Sequence, residues 1–124
     1  MRAKIQTPKK TILIYGLEET QFQALAEVAK AEDILCYAVT DTQTAFTVAR
    51  LLYDRPETEA EAQPIEGKFA LLDGFGNHPE AALHLINAVD TSVIKAVHTP
   101  HNGAWKFKDL CEAILEEHQT MQGK

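Results

Sequence analysis

The chain has 124 residues, a net charge of −6 and 45% hydrophobic residues, which suits one domain able to bury about two-thirds of its unfolded surface without disulfide or metal support. No apolar run approaches the ~20 residues that cross a bilayer, and MRAKIQTPKK is basic but lacks the apolar core of a secretory signal, so a cytoplasmic protein with no membrane partner is expected. An acidic body repels phosphate backbones, which argues against nucleic acid as a partner.

In chain order, residues 1–10 form a basic arm with Arg2, Lys4, Lys9 and Lys10. TILIYG reads as a strand closed by Gly16. The following segment carries Phe22, Leu25, Val28 and Ala29 at helical spacing, with acids in the first turn where they suit the dipole. ILCYAV is the next strand, and residues 40–44 offer caps for a helix bearing Ala45, Phe46, Val48, Ala49 and Leu52. Residues 54–67, DRPETEAEAQPIEG, break every periodicity and predict an exposed, mobile acidic loop. Then come the strand FALLD, a helix from NHPEAALHLINAVD, the strand VIKAV, and a last helix striped by Phe107, Leu110, Cys111, Ile114 and Leu115. Cys36 and Cys111 lie in apolar patterns and read as buried, reduced thiols.

Two βαβα halves within one domain predict an α/β fold with a four-stranded, mostly parallel sheet and helices on both faces. The description is flavodoxin-like or receiver-like, shortened. ILIYG and FALL are apolar throughout and belong in the centre, whereas Tyr37 and Lys95 mark edge strands. The expected order is therefore 2-1-3-4. Sliding residues 12–39 onto 70–97 pairs Leu13 with Leu71, Gly16 with Gly74, Ala24 with Ala82 and Leu25 with Leu83, as well as Ala38 with Ala96 and Val39 with Val97. An internal repeat is thus expected.

In an open parallel sheet, ligands bind beyond the carboxyl ends of the strands at the switch point. Such an edge would gather Glu18 and Glu19, then Asp73, Asn77 and His78, then His98, Thr99, His101 and Asn102. GLEET has one glycine and two acids, and no G-x-G-x-x-G or P-loop occurs, so nucleotide binding is disfavoured and no cofactor is expected. The strand ending in Asp73 resembles the phospho-acceptor strand of response-regulator receiver domains, with Thr99 near their strand-four hydroxyl. The acidic pair they need would fall on Gly16 and Leu17, and a fifth, lysine-bearing strand is lacking. His78, His98 and His101 are metal-ligand candidates because imidazoles from neighbouring loops can converge, although H-x-x-H in a loop is a weak signal. Ser92 is the single serine and stands outside any G-x-S-x-G. Trp105 fits the N′ position of the last helix, with Lys106 at the N-cap, Asp109 at N3 and Leu110 at N4. That is a hydrophobic staple, and the rival reading is an interface anchor.

VIKAVHTPHNGAWKFKDLCEAILEEH resembles the signature of a bacterial family known only as a domain of unknown function, through Lys95, Ala96, Val97, Thr99, Pro100, Asn102, Trp105, Glu117 and His118. Gly74 and Phe75 resemble its Gly-Phe turn. The resemblance implies a small cytosolic bacterial protein and carries no activity. The resulting expectation is a non-catalytic binding or regulatory module acting on an unknown protein or small molecule through Asp73, Asn77, Thr99, Asn102 and Trp105. A small metal-assisted enzyme using Asp73 with the loop histidines is the alternative. The third reading is an interaction protein, such as a homodimer, joined through an edge strand.

Overall fold

The two most apolar strands take the centre of the sheet. A computed structural model describes residues 10–54, 62–75, 78–99 and 102–122. In order, these form β1 (Lys10–Tyr15), α1 (Glu19–Ala31), β2 (Ile34–Ala38), a π-helical turn (Arg50–Asp54), β3 (Phe69–Asp73), α2 (Glu80–Val89), β4 (Ile94–Val97), a 3₁₀ turn (Asn102–Ala104) and α3 (Phe107–Gln122). The strand order is β2-β1-β3-β4, as the apolar patterning predicts.

Two of the three pairings, β1 with β2 and β3 with β4, are parallel. The central pair, β1 with β3, is antiparallel, and Leu13 lies opposite Leu71. The cause is the connection between the halves. A parallel β3 would need a helix carrying the chain back across the sheet. Here the chain instead enters β3 beside the point where β1 leaves it. Gly16 packs so closely there that a Cβ would sit 2.6 Å from the Gly67 carbonyl oxygen. Gly16 also has φ of +96°, a conformation that favours glycine.

Helices cover both faces. Leu25 and Ala29 of α1, with Ala82 and Ile86 of α2, bury Ile12, Ile14, Ala70 and Leu72. On the other face Phe107, Leu110 and Cys111 of α3, together with Val48, Leu51 and Leu52, cover Leu13, Tyr15, Phe69 and Leu71. Inside α1 the stripe is narrower than its spacing suggests, since Val28 is exposed. Its start is closed by a capping box between Glu18 and Gln21.

Two expectations change. The helix expected after residues 40–44 forms only from Val48 onward, as residues 41–46 are turns. Their backbone is spoken for: Phe46 N–H donates to Gln43 O, and Phe46 O accepts from Phe107 N–H. The acidic segment is the second case. Residues 55–61 lie outside the described residues, but its last part is anchored. Ile65 is buried, its N–H donates to Tyr15 Oη at 2.8 Å, and Thr44 Oγ1 donates to Gln63 O at 2.7 Å. Of the basic arm expected over residues 1–10, residues 1–9 lie outside the described residues too, and Lys10 opens β1.

Candidate functional site at the end of β3 and β4

The antiparallel seam decides which residues can meet. Because β1 runs against β3, Glu18 and Glu19 follow β1 out at the edge where β3 begins. They are at the opposite end of the sheet from Asp73, so the shared carboxyl edge of strands one and three does not exist. An acidic site of the receiver kind around Asp73 is not assembled here, since any group following β1 is carried away from Asp73.

β3 and β4 are parallel, and their ends do converge. His98 donates from Nδ1 to Asp73 Oδ1 at 2.9 Å, and both side chains are largely buried. The other ring nitrogen, Nε2, faces the Cα of Gly103, where an added Cβ would sit only 2.6 Å away. The Tyr53 ring meets the imidazole edge-on, with centroids 6.1 Å apart. Partial burial, and then the Asp73 carboxylate, push the Tyr53 phenol pKa up. Sequence reasoning missed Tyr53, which stands at the rim of a segment with no clear period. Its exposure, 64%, is unusual for a large aromatic side chain.

The corner after β4 is built by one side-chain amide and one hydroxyl, those of Asn102 and Thr99. Thr99 N–H donates to Asn102 Oδ1 at 2.9 Å, Asn102 N–H donates to Thr99 Oγ1 at 3.1 Å, and Asn102 Nδ2 donates to Val97 O at 3.2 Å. Such local bonds are what hold Asn and Thr in turns. Trp105 stands just before α3, which begins at Phe107, so the cap register required for a staple is present. The indole is 39% exposed and so only partly covered.

Asn77, Pro100 and His101 lie outside the described residues. His78 is highly exposed and 4.0 Å from Glu80, away from the Asp73–His98 pair in its contacts. Among the described residues no three His, Cys, Asp or Glu side chains are grouped to hold a metal ion. Burial pushes the Cys36 thiol up to about 11 and raises Cys111 further, so neither is a ready nucleophile at neutral pH. Ser92 donates from Oγ to Asp90 Oδ1 at 2.6 Å and is held in the turn before β4. Two open clefts lie elsewhere. One of about 550 Å³ runs between Ile65, Glu66 and the α3 residues Glu112, Leu115 and Glu116. The other, of about 530 Å³, borders Ala26, Lys30, Ile34 and Cys36.

The fold and the site together define a small α/β domain of mixed sheet with a polar, aromatic-rimmed end. Residues 84–121 match the model of a family described as a domain of unknown function (DUF3783). That match runs from within α2 through β4 and most of α3, and it includes the corner that carries the resemblance. No curated protein and no solved structure matches the chain. Among the described residues no helix is long and apolar enough to cross a membrane.

Proposed function

We propose that the protein is a non-catalytic binding or regulatory module, and that its binding surface is the end of β3 and β4. Asp73, His98 and Tyr53 form its centre, with Thr99, Asn102 and Trp105 as its frame; Asn77 belongs to the proposed set from the sequence and lies outside the described residues. The observation that carries this reading is the enclosure of the His98 imidazole, which is largely buried. Nδ1 is held by Asp73, and Nε2 looks onto the backbone at Gly103. A general acid or base must offer a nitrogen to the reacting group. A fixed imidazole beside an exposed phenol instead offers a shaped edge for recognition.

Trp105 is the only tryptophan in the chain, and it stands in this corner, so its emission reports on the site. Titration with a panel of metabolites and short peptides is expected to give a saturable change in emission. Tyr53→Ala should weaken that response at least tenfold while leaving the thermal unfolding midpoint within a few degrees. A panel without any saturable response, or a response untouched by Tyr53→Ala and His98→Ala, contradicts the reading.

A further inference from the structure

The corner after β4 has a twin after β2. Thr99 N–H donates to Asn102 Oδ1, and Thr40 N–H donates to Gln43 Oε1. Trp105 N–H donates to Asn102 O, as Phe46 N–H does to Gln43 O. His98 N–H reaches back to Leu72 O, and Val39 N–H to Ile14 O. Leu110 N–H donates to Lys106 O, and Leu51 N–H to Thr47 O. β1 and β3 are each followed at once by a glycine of positive φ, Gly16 at +96° and Gly74 at +89°.

These correspondences equate Leu13 with Leu71 and Thr47 with Lys106. Each of these two equivalent pairs is also a pair of direct cross-strand partners. Leu13 lies opposite Leu71 at the middle of the β1–β3 ladder. Thr47 lies opposite Lys106 in an antiparallel bridge, flanked by Val48 N–H to Trp105 O and Phe107 N–H to Phe46 O. Those two flanking bonds exchange when the halves are exchanged. Residues that meet their own equivalents at two separate places mark a two-fold axis. Mere likeness of α/β element order gives no reason for a side-chain amide bond to recur, nor for equivalent residues to meet.

The geometry points to an internal duplication: residues 10–54 are a second, diverged copy of the unit formed by residues 68–113. The seam between them is an isologous interface, and the partner that fits each unit's β1-type strand and corner is another copy of the same unit. The family match at residues 84–121 therefore has a counterpart that begins within α1. β4 pairs one residue later than β2 does: Ile12 faces Cys36, whereas Ala70 faces Lys95. The simple slide along the sequence thus equates Ala38 with Ala96 and Val39 with Val97, while the structure equates Ala38 with Val97 and Val39 with His98. The shared corner is architecture common to both copies. The Asp73–His98 pair is present in one copy alone, its counterparts being Tyr15 and Val39.

Two variants of the full chain test the duplication. In the first, residues 68–113 replace residues 10–54, with threonine kept at the position of Thr47 so that two lysines do not oppose each other on the axis. It is expected to unfold in one cooperative transition and to show amide resonances that nearly coincide in pairs. In the second, residues 40–47 and 99–106 are exchanged with glycine kept at position 103, where the His98 ring leaves no room for a Cβ. This chain loses the Thr44 bonds but keeps both corners. Its unfolding midpoint is expected within about 10 °C of the parent, the shift that one or two lost buried interactions produce. Cooperative unfolding of either chain supports the duplication. Its absence in both overturns it.

Discussion

Gly103 is buried and has no space for a side chain, because the His98 ring occupies the position a Cβ would need. Gly103→Ala must push the imidazole off Asp73 or move the corner, and overpacking of this kind costs about 1–3 kcal/mol. In a His98→Ala background the obstacle is gone, and most of that loss should vanish. Urea unfolding of the two single variants and the double variant measures the coupling. Equal losses in both backgrounds would mean that the ring does not stand where the structure has it. Asp73 and Thr99 were readable in the sequence as polar residues at strand ends. The commitment of His98 to Asp73 was not, because a loop histidine gives no sign of what its second nitrogen faces.

At the scale of elements, the corners and the segment before β3 account for most of what the sequence concealed. Thr44 is fully buried and its hydroxyl donates to Gln63 O at 2.7 Å, with Asp41 O as a second, longer acceptor at 3.1 Å. Asp41 Oδ1 accepts from Tyr15 Oη, and Tyr15 Oη accepts from Ile65 N–H. Burial, then Asp41, push the Tyr15 phenol pKa up, so it stays a neutral donor. Thr44→Val keeps the shape and leaves Gln63 O without its donor, a change worth about 1–3 kcal/mol in urea unfolding. A loss below a few tenths of a kcal/mol would show that residues 62–65 are not anchored through this hydroxyl. Threonines and a glutamine before an apolar period read as helix caps, and here they cap a turn instead. That distinction rests on partners more than fifteen residues away, which local pattern cannot supply. The strands and the three α-helices were legible because their apolar residues repeat at the periods that burial demands.

For the whole molecule, strand order was legible and strand direction at the centre was not. Apolarity on both faces places β1 and β3 inside the sheet whichever way they run, so direction depends on the β2-to-β3 connection, where composition is least informative. A clamp at the second half ties the sheet to its crossover. Lys68 Nζ pairs with Asp90 Oδ2, while Ser92 N–H and Oγ both donate to Asp90 Oδ1. The hydrogen bond from Lys68 first, then those from Ser92, hold the Asp90 carboxyl well below its ordinary value of 3.8. A carboxyl depressed in the folded state stabilises it at pH values above that ordinary value, and the contribution fades as pH falls below it. The melting temperature should therefore drop more steeply below pH 4 for the parent than for Asp90→Asn, with the two curves converging in acid. Parallel curves would exclude Asp90 as a source of that dependence.

The antiparallel seam settles which loops share an end of the sheet, and so stands beneath the site, the two-fold axis and the separation of Glu18 from Asp73. Backbone groups of Ile14 face β2 and those of Leu72 face β4, which makes Ile12 with Leu72 and Ile14 with Ala70 the close, non-hydrogen-bonded pairs of the ladder. Nuclear Overhauser spectra of the labelled full chain should show Hα–Hα contacts between Ile12 and Leu72 and between Ile14 and Ala70. Amide-to-Hα contacts of a parallel register between β1 and β3, with neither Hα–Hα contact present, would contradict it.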